Sequence, residues 1–267
     1  MIIYIKNIIV KYLKLFGVYT PVKRFKDNIL FSWREKVGFN KEMLYIYKDF
    51  VKQGDLVFDL GGAYGNRTKH FLDLGARKVI LVEPTSYYQN KLKRRFGKNN
   101  KVVLLKAGIS NKKGKEIITL NSCPTMSTFE KEEIESLNNN YQMRNLEWVG
   151  KEEIQMITIN NLIEKYGLPD FVKIDIEGYE SKAFSTLKYA IPKLSFEYHT
   201  QFKDKTLMII NYLSKLGNYE FNYSMKETMK FALGKWCNAN KIKQEMQSVD
   251  PDTDFGDVYC RLKNDNS

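Results

Sequence analysis

Short, wholly apolar runs alternate along this chain with segments whose apolar positions recur every three or four residues. "LVFDLG" (56–61), "KVILVEP" (78–84) and "KVVLLKAGI" (101–109) read as strands. Between them, "TKHFLDLG" and "YYQNKLKRRFG" read as helices, and "NKEMLYIYKDFV" is a helix ahead of the first strand. Continuous apolar strands separated by helices predict a parallel sheet covered on both faces. "KEIITL" and "IQMITI" are extended pieces around a polar excursion near 121–152, which holds an Asn138–Asn140 run. "NNLIEKYG" is a short helix closed by Gly167. The alternation then resumes with "FVKIDIEG", "YESKAFSTLKYA", "KLSFEYH" and "DKTLMIINYLSKLG". "YEFNYS" and "DVYCRL" come last, which makes seven sheet strands with room for an antiparallel final one. The expected division is a helical extension over 1–40 and one domain over 41–267, with a loop-rich insertion near 121–152.

Composition changes this picture only at the amino-terminal end. The net charge is +12, and residues 1–36 carry eight Lys or Arg against Asp27 and Glu35. "MIIYIKNIIVKYLKLFG" reads as a basic amphipathic helix. Its lysines interrupt any uncharged run of membrane-spanning length, which leaves packing on the domain or peripheral membrane contact through residues 1–36. Cys123, Cys237 and Cys260 are too few and too scattered for a disulfide framework or a paired zinc motif, so a reducing cytoplasm is the expected setting.

Chemistry concentrates where strands end. "LVFDLGGAYGN" places Gly61, Gly62 and Gly65 directly after the first strand, where a cofactor crosses the backbone in an open α/β sheet. Glu83 ends the second strand, where a carboxylate accepts hydrogen bonds from both ribose hydroxyls of an adenosine. Ala63 and Asn66 occupy positions where a dinucleotide fingerprint needs glycine. Asp59 at the strand mouth also disfavours a diphosphate. A cationic, phosphate-free nucleoside fits better, and S-adenosylmethionine is one.

The central strands carry a polar face. Lys173, Asp175 and Glu177 alternate with Val172, Ile174 and Ile176, and Ser195, Glu197 and His199 share one face of the next strand. Buried parallel strands are otherwise apolar, and unpaired charge there is costly. Asp175, Glu177, Glu197 and His199 are therefore expected to line a methyl-acceptor pocket, with Asp175 nearest the cofactor and His199 as the base for a hydroxyl nucleophile. The bland alternative is simple pairing, for example Lys173 with a carboxylate. A divalent metal held by the carboxylates and His199 is a rival device that these common spacings do not favour. His70 is expected on the surface or in packing.

"VFDLGGAYGN", "VILVEP", "LLKAGIS", "LIEKYGLPDFVKIDIEGYE" and "LSFEYH" together resemble the FkbM family of S-adenosylmethionine-dependent methyltransferases over roughly residues 50–225. "KIDIEGYE" and "EYH" are the most specific parts. The resemblance implies a class I methyltransferase (Rossmann-like) fold, S-adenosylmethionine as cofactor and O-methylation of a sugar, glycan or natural-product hydroxyl. It also implies that Ala107 and Gly108 border the adenine. The family's usual Gly-Ala-Asn stands here as Gly61-Gly62-Ala63, so any role of that Asn is lost or moved. The rivals are an NAD(P)-dependent oxidoreductase, a nucleic-acid methyltransferase prompted by the basic charge, and a non-catalytic module. "DIEG" lacks the proline-rich motif of base amino-methylation, which makes a nucleic-acid partner the weaker expectation. The identity of the acceptor and the oligomeric state are not encoded in any motif.

Overall fold

The computed structural model describes residues 39–132, 134–135, 147–226, 228–250 and 255–263. The chain divides into two compact units, Met1–Met43 and Leu44–Ser267. The extension expected over 1–40 lies almost wholly outside the described residues, as do its suggested membrane contact and the Asn138–Asn140 run. Among the described residues no helix is long and apolar enough to cross a membrane.

The elements in order are α1 (Phe39–Tyr47), β1 (Leu56–Leu60), α2 (Asn66–Asp73), β2 (Lys78–Val82), α3 (Ser86–Phe96), β3 (Val102–Leu105), β4 (Gly108–Ile109) and β5 (Gly114–Asn121). They continue with β6 (Trp148–Ile157), α4 (Ile159–Tyr166), β7 (Phe171–Ile174), α5 (Glu180–Phe184), β8 (Lys193–His199), α6 (Lys203–Leu216), β9 (Tyr219–Met225), α7 (Ala239–Ser248) and β10 (Phe255–Leu262). Local chemistry sets several starts. Thr158 and Asn161 form a reciprocal capping box on α4, and the Asn238 side chain accepts the Lys241 N–H at the start of α7.

Seven strands form one sheet in the order β3-β2-β1-β7-β8-β10-β9. β10 runs antiparallel to both its neighbours, and the other pairings in that sheet are parallel. The seven-stranded, mostly parallel sheet with an antiparallel last strand is as the alternation predicted. Strand alternation sends Leu56, Phe58, Leu60, Ile80, Val172, Ile174 and Phe196 into one large core with α4, α6 and α7. The opposite face packs Phe171 and Tyr259 against Tyr47, Phe50 and Phe71 in an aromatic cluster.

Three details depart from the expected elements. The "KVVLLKAGI" run breaks in two, because Gly108 and Ile109 leave β3 and pair with Met156 and Ile157 of β6 in a second sheet, β4-β6-β5. That sheet absorbs residues 148–152 of the polar excursion, since β6 already starts at Trp148. The helix expected over "YESKAFSTLKYA" stops at Phe184. Asn160 takes the backbone beyond it, donating to the Thr186 carbonyl and accepting the Lys188 N–H.

Sequential strands run outward from β1 on one side and resume at β7 on the other, so the order reverses between β1 and β7. Such a reversal opens a crevice at the strands' carboxyl ends. Gly61 sits there at φ +86, and a Cβ on it would lie 1.6 Å from the Asp175 carbonyl oxygen. At Gly65, φ +77, a Cβ would lie 2.4 Å from Phe96 Cε2. These glycines are required first by the protein's own close contacts.

Gly61→Ala should therefore lower stability by more than the roughly 1–3 kcal/mol typical of overpacking, because backbone cannot swing aside. Gly54, at φ +92 with open space for 4 Å around the place a Cβ would take, carries only the dihedral cost, about 1 kcal/mol. Urea midpoints of the two alanine variants check this; equal losses would contradict it.

Candidate active site

A cavity of about 310 Å³ opens at the β1/β7 reversal. By the strand order, its middle is bordered by Gly61 and Ala63 of the β1–α2 turn and by Arg67 of α2, and one end, on the β2 side, by Glu83, Thr85, Tyr88, Ala107 and Gly108. Asp175, Glu177, Glu197, His199, Lys226, Met229 and Phe255 border the other end. The loop after β5 contributes Pro124 to Ser127 and Phe129. Thr128 fixes that loop, since its backbone pairs with Thr119 and its Oγ1 donates to the Glu177 carbonyl at 2.8 Å.

Backbone strain concentrates at this cavity. The non-glycine residues with left-handed φ among the described residues are Ala63, Glu177, Lys226 and Met229, and all four border it. Such residues persist only where surroundings hold them, and they cluster at functional sites.

Beneath the cavity lies a buried ionic network. Lys173 is fully buried, with Nζ 2.5 Å from Asp257 Oδ1 and 3.6 Å from Asp175 Oδ2. Arg67 Nη1, from the first turn of α2, lies 2.7 Å from the same Asp175 oxygen. Burial alone would raise Asp175, but Lys173 and Arg67 outweigh it and hold the carboxyl down at about 2. Glu197 moves the opposite way, raised by burial and by the neighbouring Asp175 charge. The two neighbouring carboxyls are thus pushed in opposite directions, Asp175 towards its charged form and Glu197 towards its proton. His199 Nε2 is 3.1 Å from Glu197 Oε2.

At the other end Glu83 shapes the turn that it faces. Its Oε2 accepts the Ala63 N–H, and its Oε1 accepts the Thr85 N–H and hydroxyl. Burial raises Glu83 to about 7 against those three donors. Glu180 does a similar job behind the acidic end, where its Oε1 accepts the Ile176 N–H at 2.8 Å and holds the 175–177 turn.

Of the residues singled out from sequence, Gly61, Glu83, Ala107, Gly108, Asp175, Glu177, Glu197 and His199 all border the cavity. Asp59, Gly62 and Gly65 are not among its lining residues. Asp59 is buried within β1, where its Oδ2 accepts the Thr68 hydroxyl, and Oδ1 has no partner among the described residues. The charged side chains that do border the cavity beside this turn are Arg67 and Asp175, paired with each other. Gly62 faces Leu81, 1.9 Å from where its Cβ would lie. His70 is buried on α2 rather than exposed. Sequence reasoning missed Arg67 and Asp257, whereas "PTMSTF" (Pro124 to Phe129) reads from sequence as either a segment closing over the site or an ordinary surface loop, and it borders the cavity. Asp257 carried the same signal as Lys173, a charge at the head of an apolar strand, whereas Arg67 had only its place just after the glycines.

Glu177, Glu197 and His199 each offer a ligand atom, and these atoms lie within 4.8 Å of one another. This is the set that could hold a divalent ion.

In an open α/β sheet the crevice at the reversal point is where ligands bind. The profile of the methyltransferase FkbM domain matches residues 59–221, and the chain belongs to that family. Among solved structures, it is similar to methyltransferase FkbM from Methylobacillus flagellatus KT, at 16% identity and a TM-score of 0.48, over 78% of this chain and 43% of that one. The chain thus spans less than half the length of that relative. It is also similar to precorrin-6y C5,15-methyltransferase from Geobacter metallireducens GS-15, at 11% identity and TM-score 0.43, over 84% of this chain and 87% of that one. The O-methyltransferase from Bacillus cereus in complex with SAH matches at 10% identity and TM-score 0.42, over 84% and 80%. No curated protein matches the sequence.

The raised carboxyl at Glu180 gives a testable pH dependence. Burial, with the acidic Glu197 nearby as a lesser cause, pushes it up to about 7. A carboxyl that binds its proton more tightly when folded stabilises fully below about pH 4.3, and that contribution disappears as pH rises through about 7. Glu180→Gln, whose oxygen can still accept the Ile176 N–H, should gain roughly 1–3 kcal/mol on wild type between about pH 5 and about pH 8. Denaturant unfolding at both pH values measures the difference; a gap that does not change with pH would contradict the assignment.

Proposed function

We propose that this protein is an S-adenosylmethionine-dependent methyltransferase that acts on a hydroxyl of a sugar, glycan or natural-product small molecule. The observation that carries the reading is one cavity with a ribose-type carboxylate, Glu83, at one end and a carboxyl–histidine cluster at the other. Family membership supports methyl transfer as the reaction class. The residues fit the donor. Ala107, Gly108, Ile109, Ile118 and Phe129 offer an apolar slot for a base, and the buried Tyr88 hydroxyl beside it has no partner among the described residues.

When bound, S-adenosylmethionine supplies a methyl carbon made electrophilic by its sulfonium. Glu83 holds the ribose hydroxyls, and its grip on Ala63 and Thr85 keeps the turn in shape around them. Asp175 keeps its negative charge beside the cavity, balanced by Arg67 and Lys173. Glu177, Glu197 and His199 receive the acceptor and orient its oxygen for in-line displacement. The His199 imidazole would take the hydroxyl proton as the acceptor oxygen displaces the donor's sulfur at the methyl carbon, with the Glu197 carboxyl, 3.1 Å from Nε2, orienting the ring. A metal-assisted variant is favoured by one observation, the 4.8 Å Glu177–Glu197–His199 set, which would act as a Lewis-acid site on the same hydroxyl.

Incubation with isotope-labelled methyl donor and a panel of sugars, nucleotide-sugars and extracts, read by mass spectrometry, identifies the acceptor. With it in hand, His199→Ala should lower kcat by about 10²–10⁴ while donor affinity stays near wild type. Near-normal turnover would remove His199 as the base. Exhaustive chelation should leave the rate unchanged, and a loss restored by Mg²⁺ would move hydroxyl activation to the metal set. Calorimetric binding of NAD but not of S-adenosylhomocysteine would replace the whole reading with a dehydrogenase.

A further inference from the structure

We infer that Arg67, with the first turn of α2, forms an anion subsite that receives the carboxylate of the methyl donor's amino-acid tail. This rests on the donor assignment above. Arg67 borders the middle of the cavity, between the slot beside Glu83 and the acidic end. A donor whose nucleoside occupies the slot and whose methyl group faces His199 passes its tail across this middle section.

Three observations point to an anion there. First, a guanidinium carries five N–H donors, and among the described residues Asp175 engages Nη1 at 2.7 Å. Nε is enclosed and has no partner there. The side chain keeps 23% of its surface accessible although Asp175 already engages Nη1, and Nη2 is not among the enclosed unpartnered atoms, so that nitrogen is the one left for a ligand. Second, α2 begins without a side-chain cap, because its N-cap residue is Gly65. Uncapped first-turn N–H groups and the helix dipole favour negative charge at that point. Third, no acid competes from within the turn. Asp59 is turned to Thr68, and Glu83 borders the slot on the β2 side, bound to Ala63 and Thr85.

The charge balance also fits. Lys173 and Arg67 face Asp175 and Asp257 two against two, so the network by itself attracts neither sign. A zwitterionic tail preserves that balance, placing its carboxylate on the open edge of Arg67 and leaving its ammonium for the acidic side.

The test compares S-adenosylhomocysteine with its decarboxylated analogue, which keeps the amine and lacks only the carboxylate, by calorimetric affinity. Wild type should bind the carboxylate form about ten- to a hundredfold more tightly, as charge-assisted hydrogen bonds allow. Arg67→Met should bring that ratio near unity, chiefly by weakening S-adenosylhomocysteine. Arg67→Lys keeps a cation beside Asp175, guarding against loss of the fold, and lacks the second nitrogen edge, so it should narrow the ratio as well. Equal affinity of wild type for both ligands, or a ratio that survives in both variants, would overturn the subsite and leave the donor reading intact. Failure of wild type to bind either ligand would overturn the donor reading and the subsite together.

Discussion

The ion pair between Lys173 and Asp257 joins strands that are not neighbours. Lys173 stands on β7 and Asp257 on β10, with β8 between them, and the 2.5 Å contact passes over Ser195, which is in register with Lys173. A small residue on β8 leaves room for that crossing. Removing an ammonium from water costs several kcal/mol, which is recovered only with close, complementary partners. Asp257 and Asp175 are those partners; Asp175 lies two residues along the same chain, while Asp257 is brought in by the register of β10 on β8. The interaction therefore ties the antiparallel last strand to the strand on which the crevice opens.

From that pair the rest of the site takes its charge order. Lys173 and Arg67 hold Asp175 ionised, burial and the ionised Asp175 raise the proton affinity of the neighbouring Glu197, and Glu197 in turn lies against His199. Neighbouring carboxyls with opposed proton affinities are a recurrent way to divide roles in an active site. The strained residues Ala63, Glu177, Lys226 and Met229 ring the same cavity. Rigid strands below and constrained turns above thus hold a few polar groups in place, which suits a reaction that depends on alignment more than on proton affinity alone.

Much of the architecture was legible because its signals are local. Wholly apolar runs marked the strands, and the polar row on "FVKIDIEG" and "KLSFEYH" marked the acidic end of the cavity without help from any tertiary contact. What was not legible depends on such contact. The glycines after β1 look like a cofactor cradle, yet Gly62 and Gly65 answer to Leu81, Leu92 and Phe96. Asp59 reads as a residue at the strand mouth but faces Thr68. The short α5 could not be foreseen, because Asn160 on another helix diverts the chain that follows it. Arg67 gains meaning only when the fold brings it to Asp175, more than a hundred positions away.

A double-mutant cycle on Lys173→Met and Asp257→Asn tests the central claim most directly, by denaturant unfolding of the two single variants and the double. Each single change strands a buried charge and should cost about 3–5 kcal/mol, while the double variant should recover at least half of the summed loss. Losses that simply add would contradict the account, because the two residues would then be stabilised independently and the order of charges above them would have some other origin.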